Sequence, residues 1–341
     1  MRLFSRGRWL PLLFLAVVAA LGVGCQQRDP MTTIAPKSDV GSMIQGLYVL
    51  LFWLSVVVFV VVEGLLVYAV LRFRAKPGQG IPAQVHGNNR LEIAWTIAPA
   101  IILVVIAVPT WATIFKTAAE PGPNALRVEV VARQWWWEFR YPELNLVTAN
   151  ELHLPVDRQV AFTLKSGDVI HSFWVPQLGG KQDVVPGRVN KLQFTPNTTG
   201  TYYGQCVELC GASHALMRMR AIVQTQEDFD AWVKGNRTPP TAPTGAEAQR
   251  GADVFAKGAC VACHTIEGTP GKGTVGPNLT YFGSRTTLAA GIMPNTAENI
   301  ARWLRDPAAV KPQAKMPNLN LSEHDISALV AYLSSLKLPE R

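Results

Sequence analysis

The sequence predicts a protein of three unlike parts: two membrane-spanning helices, then a β-sandwich, then a small helical domain. Two apolar runs of membrane-spanning length lie in the first third of the chain. From Leu126 onward, short alternating segments are separated by Gly, Pro and Asn turns, which is typical of a sandwich. A Cys-x-x-Cys-His motif then follows a stretch rich in Pro and Thr. A chain of 341 residues has room for these parts.

The composition supports a membrane protein and argues against nucleic-acid binding. Only 16% of the residues are charged, and 48% are hydrophobic. The net charge of +8 does not indicate nucleic acid, because no basic run is interleaved with aromatic residues and no nucleic-acid motif is present. Much of the excess charge lies at the N-terminus and in one loop, where it indicates membrane topology.

Residues 1–25 have the pattern of an export signal. Three arginines precede an apolar run over residues 9–23, and Gly24 and Cys25 follow. Cys25 could be the lipid-bearing first residue of a lipoprotein. Gly22 occupies the position where such signals have a large aliphatic residue, so an ordinary signal or a retained anchor is the alternative.

Residues 40–118 are predicted to form a transmembrane hairpin. Residues 47–71 and 93–114 are long and apolar enough to span a bilayer. The loop between them contains Arg72, Arg74, Lys76 and Arg90 and no acidic residue, which makes it cytoplasmic by the positive-inside rule. The rest of the chain after the second span is therefore on the outer face of a bacterial inner membrane. Glu63 in the first span is either functional or faces a partner subunit.

Residues 122–235 form the predicted sandwich, and their chemistry is concentrated in residues 204–217. Cys206, Cys210, His214 and Met217 supply thiolate, imidazole and thioether, the ligands that electron-transfer copper prefers. Two bridging thiolates can hold two coppers that share one electron. A disulfide or a zinc site is the alternative for the cysteines. His171, upstream on a β-rich segment, completes a cupredoxin-like set and favours binuclear copper.

Residues 236–244 are a predicted Pro/Thr linker, and residues 245–338 a cytochrome domain. Cys260 and Cys263 would attach haem c covalently, and His264 would ligate the iron. A redox disulfide is the alternative. Met293 and Met316 both precede proline, so the local pattern does not choose the second axial ligand between them.

Helices are predicted over residues 296–306 and 322–336. In class I cytochromes c the ligand loop runs up to the last helix, which favours Met316 over Met293 and over His324. With two cysteines assigned to copper, two to haem and Cys25 to the signal, no pair remains for a structural disulfide.

Two segments carry a resemblance to a known family. VIHSFWVPQLGGKQDVVPGR (169–188) and TYYGQCVELCGASHALM (201–217) resemble subunit II of the haem-copper cytochrome c oxidases, which has a dinuclear copper A centre. With residues 245–338 similar to a fused cytochrome c, nearly the whole mature chain resembles subunit II of the caa3-type oxidases. The fold class implied is a transmembrane hairpin, a cupredoxin-like β-sandwich and an all-α class I cytochrome c domain.

The resemblance implies a role for each copper ligand. His171 and Met217 would be terminal ligands of one copper, and Cys206 and Cys210 would bridge. His214 and the carbonyl of Glu208 would bind the other copper. The Glu208 carboxylate would also bind a magnesium ion shared with subunit I, in keeping with the preference of magnesium for oxygen ligands.

The resemblance implies a role or a location for five further residues. Glu92 would lie near the entrance of a proton path into subunit I; a carboxylate that stabilises a helix N-terminus is the alternative. Trp135 would be an exposed residue through which electrons enter from cytochrome c; core packing is its alternative. Arg133 departs from the family, which commonly has His there. The resemblance also places three residues of one loop at the subunit I boundary: Lys181, Asp183 and Arg188.

The function implied is electron entry into a proton-translocating cytochrome c oxidase complex. Electrons would pass from reduced cytochrome c through haem c and copper A to haem in subunit I, where oxygen is reduced to water. Subunits I and III and the lipid bilayer are the expected partners. The alternative is the copper A subunit of another haem-copper reductase, such as a nitric oxide reductase.

Overall fold

The computed structural model describes residues 30–74, 77, 78, 80, 84 and 86–339. The predicted signal of residues 1–25, with Cys25, lies outside the described residues, as does Lys76 of the predicted cytoplasmic loop. Within the described chain the predicted order of apolar helices, β-sandwich and helical domain is confirmed.

Two long helices form the membrane hairpin. Helix α1 (Asp39–Arg72) and helix α2 (Asn89–Ala118) have 34 and 30 residues. At 1.5 Å per residue they are about 51 and 45 Å long, enough to cross a bilayer. Ser38 caps α1 by accepting a hydrogen bond from the Gly41 N–H, and Asn88 caps α2 in the same way. Both helices expose mainly apolar side chains, as a lipid-facing hairpin requires.

The first helix begins against the sandwich. The Ser38 hydroxyl donates to the Leu178 carbonyl, and the Asp39 N–H donates to the Thr195 carbonyl at 3.2 Å. Ser38 is fully buried. Its hydroxyl is therefore both the cap of α1 and a link between the membrane hairpin and the sandwich.

Ten strands form the sandwich. They are β1 (Leu126–Arg133), β2 (Trp136–Tyr141), β3 (Leu146–Ala149), β4 (Glu151–Pro155), β5 (Val160–Ser166), β6 (His171–Trp174), β7 (Gln182–Val184), β8 (Asn190–Phe194), β9 (Gly200–Cys206) and β10 (Arg218–Gln224). They make two five-stranded sheets, in the orders β3-β2-β1-β5-β8 and β4-β10-β9-β6-β7. Strands β1 and β5 pair in parallel, as do β4 and β10.

Aromatic side chains fill the space between the sheets. Trp137 of β2 meets Phe173 of β6 edge to face with centroids 5.5 Å apart, and Phe162 lies 5.7 Å from Phe173. Helix α3 (Gln226–Arg237) closes one end by burying Phe229 and Trp232. It ends just beyond the domain boundary predicted at 235.

The C-terminal domain is built from short helices around one apolar core. Its elements are α4 (Ala246–Lys257), α5 (Cys260–Cys263), β11 (Thr287–Leu288), β12 (Met293–Pro294), α6 (Ala297–Arg305), α7 (Pro307–Val310) and α8 (Glu323–Ser335). Helices α4 and α8 cross where Gly251 faces the Ala328 carbonyl so closely that a Cβ would overlap it. The helices predicted at 296–306 and 322–336 correspond to α6 and α8, capped by Thr296 and Ser322.

Candidate metal and haem sites

Strand pairing brings the predicted copper ligands together. His171 begins β6 and Cys206 ends β9, and these strands are antiparallel neighbours with Phe173 opposite Cys206. The loop that follows β9 folds back so that the Cys206 N–H donates to the Met217 carbonyl at 2.9 Å. A histidine 35 residues upstream thereby meets the two cysteines.

The ligand atoms converge in one place. Cys206 Sγ lies 3.7 Å from Cys210 Sγ and 3.8 Å from His171 Nδ1. Cys210 Sγ lies 3.6 Å from His214 Nδ1 and 3.9 Å from Met217 Sδ. The sulfurs are too far apart for a disulfide, whose S–S bond is about 2.05 Å. Two thiols, two imidazoles and a thioether, linked by these contacts into one cluster, fit the soft donor set of copper.

The Glu208 backbone also reaches this cluster, whereas its side chain points away. Its carbonyl oxygen lies 3.3 Å from Cys206 Sγ. The Glu208 side chain is exposed on the loop surface, next to Leu209, which is 76% exposed. An exposed carboxylate with an apolar neighbour is accessible to a second subunit, which the predicted shared magnesium site requires.

Asp168 is a site residue that the sequence reasoning missed. Its Oδ1 lies 2.8 Å from His171 Nε2, so the other ring nitrogen, Nδ1, faces Cys206. Burial alone would raise the pKa of Asp168, but hydrogen bonds from His171 and from the Gln134 and Val169 amides lower it overall. Asp168 therefore stays a carboxylate that fixes the metal-binding face of His171. The sequence feature that could have indicated this role is an acidic residue three positions before His171.

The pKa values of the two cysteine thiols are shifted in opposite directions. A hydrogen bond from the Cys210 thiol, with further help from His171, lowers the pKa of Cys206 to about 3. The same hydrogen bond to Cys206 raises the pKa of Cys210. The metal-free pair thus shares one proton, which binding of a thiolate-preferring metal would release.

A cavity of 360 Å³ lies beside the predicted haem-attachment motif. Cys260, Cys263, His264 and Met316 all line it, together with apolar core residues. The Pro277 carbonyl lies 2.8 Å from His264 Nδ1 and leaves Nε2 for an iron atom. A Cβ at Gly276 would lie 2.6 Å from the His264 ring, so only glycine allows this approach. The cavity fits a covalently attached haem.

The two alternatives to Met316 lie elsewhere. Met293 pairs with Leu288 in the β11–β12 ribbon and does not line the described cavity. His324 is exposed on α8 and contacts Arg250. The Trp303 indole N–H also donates a hydrogen bond to the Met316 sulfur, at 3.2 Å. Of these three residues, Met316 is the one that lines the cavity together with His264.

Trp135 lies between the copper and haem sites. It is only 3% exposed, which differs from the exposed position expected from the resemblance. The physical reason is that the C-terminal domain covers it: Lys315 Nζ is 5.5 Å from its ring, and Lys311 Nζ donates to its carbonyl at 2.5 Å. Its indole N–H donates to the Cys210 carbonyl at 3.0 Å, and it lines the haem cavity.

Arg133 and the remaining predicted residues are not part of the copper site or the haem cavity. The Arg133 guanidinium lies 5.9 Å from the ring of Trp136, the residue next to Trp135. Glu92 is exposed in the first turn of α2, and Glu63 is exposed on α1. The loop residues Lys181, Asp183 and Arg188 are also exposed.

Family models match three consecutive parts of the chain. Residues 38–113 match the transmembrane domain of cytochrome c oxidase subunit II, residues 143–225 its periplasmic domain, and residues 248–337 cytochrome c. Among solved structures, the periplasmic domain of subunit II of cytochrome oxidase from Bradyrhizobium japonicum is 31% identical. It covers 34% of this chain and 96% of that one, with a TM-score of 0.33.

Relatives of full length are also found. Cytochrome c oxidase subunit 2 of Alkalihalophilus pseudofirmus is 39% identical, over 98% of both chains. The protein of the same name from Bacillus subtilis is 35% identical, over 96% of this chain and 98% of that one. With matches across the hairpin, the sandwich and the C-terminal domain, the chain belongs to the cytochrome c oxidase subunit II family and has a fused cytochrome c domain.

Proposed function

We propose that this chain is the electron-entry subunit of a caa3-type cytochrome c oxidase. It would take electrons from a reduced cytochrome c through its own haem and deliver them through a dinuclear copper A centre to haem in subunit I. There oxygen would be reduced to water with proton translocation. The observation that carries the proposal is Trp135, which lines the haem cavity and donates its indole N–H to the Cys210 carbonyl.

The residues of the chain would hold the two redox groups in fixed surroundings. Haem and copper would supply reversible one-electron chemistry. Cys260 and Cys263 would anchor the haem edge, with His264 and Met316 as axial ligands; a thioether ligand raises the haem potential. The predicted copper ligands come from strand ends and from one loop that is held by hydrogen bonds. These side chains would therefore move little when the metal gains an electron.

The remaining parts of the proposal concern the complex. Glu208 would bind magnesium with residues of subunit I, and Glu92 would lie near the entrance of a proton path. Subunits I and III would pack against the exposed apolar faces of α1 and α2 in a bacterial inner membrane. Copper and haem domains would lie on the periplasmic face, where a soluble donor is accessible.

Oxygen uptake tests the proposal. The complex would be purified from membranes through a tag on this chain and supplied with a reduced soluble cytochrome c. Sustained oxygen uptake that cyanide abolishes is expected. If an intact complex with both metals reduced took up no oxygen, the oxidase proposal would be wrong, and nitric oxide would be the next acceptor to test.

A further inference from the structure

The boundary between the copper and haem domains contains two buried charged side chains. Lys311 is 4% exposed and Glu151 is 2% exposed. Lysine and glutamate are almost never this buried unless they are paired or fully hydrogen-bonded. Each of the two finds its main partners across the boundary, Lys311 in the copper domain and Glu151 in the haem domain.

Lys311 follows α7 of the haem domain, and its ammonium reaches three backbone carbonyls. Nζ donates to Trp135 at 2.5 Å, to Leu216 at 2.9 Å and to Ala289 at 3.2 Å. The first two carbonyls belong to the copper domain, and Leu216 immediately precedes the ligand Met217. Burial lowers the pKa of Lys311 to about 7, and the charge of the nearby Cys210 partly offsets this shift.

The segment after Lys311 continues the contact. The Ser213 hydroxyl, fully buried in the copper loop, donates to the Pro312 carbonyl at 2.6 Å. Met316 lies only a few residues further on and lines the haem cavity. One short stretch of chain therefore contacts the copper loop at its start and the haem cavity at its end.

Glu151 anchors the opposite part of the boundary. Its Oε1 accepts from the amides of Thr286 and Thr287 at 2.8 and 2.9 Å and from both of their hydroxyls. Two further hydrogen bonds to backbone carbonyls lie nearby. The Arg218 N–H donates to the Ala290 carbonyl, and the Arg220 guanidinium donates to the Gly291 carbonyl, both at 3.0 Å.

We propose that Lys311 is a positioning residue that docks the haem domain on the copper domain, with Glu151 as its counterpart, and so sets the geometry of electron transfer through Trp135. Lys311 acts through the carbonyls of Trp135 and Leu216, and among the described residues none of its hydrogen bonds goes to a predicted metal ligand. The inference rests on the proposed function for its electron-transfer consequence. The docking itself is independent of that function.

The test replaces Lys311 in the full chain, with haem and copper bound. Lys311→Met removes the donor but keeps the length of the side chain, and Lys311→Gln keeps a neutral donor. Glu151→Ala removes the other anchor and tests the same docking if neither Lys311 variant folds. Lys257→Met is the control, because Lys257 is exposed on the same domain and bonds only to Asp253 on its own helix.

Hydrogen exchange at the amides of Arg218 and Thr287 reports docking, because both donate across the boundary. Lys311→Met is expected to lower their protection together by about tenfold or more, since it removes hydrogen bonds from a charged donor. Lys311→Gln should lie between it and the wild type. Electron transfer from photoreduced haem to copper should slow in the same order, with the absorption spectra of both centres unchanged.

Two results would overturn the proposal. One is unchanged protection at both amides in Lys311→Met. The other is lost protection with an unchanged rate of electron transfer, which would mean that docking does not position the groups. If haem failed to reduce copper even in the wild type, the proposed route would be wrong, while the exchange data would still decide whether Lys311 docks the domains.

Discussion

One hydrogen bond to a carboxylate decides which ring nitrogen of His171 faces the predicted copper ligands. Asp168 Oδ1 lies 2.8 Å from Nε2, which leaves Nδ1 directed at Cys206. The imidazole is fully buried, so no water can take over this hydrogen bond. The carboxylate is thus part of the metal site although it would not bind metal itself.

Asp168→Asn is expected to weaken copper binding while leaving the fold intact. Loss of such a supporting carboxylate typically costs about 10- to 100-fold in metal affinity. Titration of the metal-free protein with copper, followed by absorption, measures the change. Asp157→Asn, at an exposed turn position with φ 57°, is the matched control. Equal copper affinities for the two variants would show that Asp168 does not support His171.

His153 gives the sandwich a dependence on pH. Its ring stacks on Trp232 at 4.3 Å, and its Nδ1 lies 2.9 Å from Gln224 Oε1. Desolvation lowers its pKa below the ordinary value of about 6.5. The unfolded chain therefore takes up this proton first on acidification, and stability falls as the pH drops below about 6.5.

We expect His153→Gln to flatten this dependence. The melting temperature of the wild type should fall more between pH 7.5 and 5.5 than that of the variant, since glutamine cannot take up the proton. Thermal unfolding followed by circular dichroism at both pH values measures the difference. Identical falls in melting temperature would rule out His153 as a source of the pH dependence.

At the scale of elements, the haem domain depends on the crossing of α4 and α8. Gly251 lies where a Cβ would overlap the Ala328 carbonyl and also come within 2.7 Å of Tyr332 Cβ. Both of these atoms belong to a rigid helix, so neither can move aside without moving α8. Glycine is needed here for close approach rather than for its backbone freedom.

Gly251→Ala should therefore destabilise the haem domain, even though alanine is the better helix former. Overpacking of this kind typically costs about 1–3 kcal/mol. Denaturant unfolding followed at the haem absorption band gives the free energy of unfolding. Gln249→Ala, on the exposed face of the same helix, is the control and should be near neutral. A Gly251 variant as stable as this control would mean that the helices separate at no cost.

Periodicity and capping residues were enough to predict helices α6 and α8, but not how two similar methionines are used. Ser322 and Thr296 mark the starts of α8 and α6 because their side chains accept amide hydrogen bonds. Met293 and Met316 have the same local pattern before proline. Tertiary structure separates them, since β11 pairs with Met293 while Met316 lines the cavity.

The contact between the domains could not be predicted from the sequence. The Lys311 ammonium bonds to the Trp135 carbonyl across 176 positions, and a carbonyl acceptor has no residue signature. The resemblance therefore implied an exposed Trp135, whereas the docked domain covers it. The predicted copper ligands are easier to recognise in the sequence, because four of the five side chains lie within one loop of distinctive composition.

At the scale of the whole molecule, docking determines where an external donor can act. Trp135 is covered while the haem domain is docked, so a soluble cytochrome cannot reach it directly. An external electron would then enter through the fused haem. The linker keeps the haem domain near the copper domain, and the buried contacts fix its orientation.

Lengthening the linker should therefore have a small effect on domain docking and on the rate of electron transfer. An insertion of about eight Gly/Ser residues within 239–244 lowers the effective concentration of the haem domain by only about threefold. Amide protection at Arg218 should fall by no more than this factor, and the rate of electron transfer should hardly change. A loss of tenfold or more would show that the tether, rather than the interface, sets the geometry.

The measurement that tests the account most directly is reduction of the two centres in the intact complex carrying Cys206→Ser. Cys206 is predicted to bridge the coppers and is not part of the haem domain. We expect the copper-pair absorption to disappear, the haem of this chain to remain reducible by the donor, and oxygen uptake to stop. Full oxygen uptake without the copper pair would contradict the proposed route.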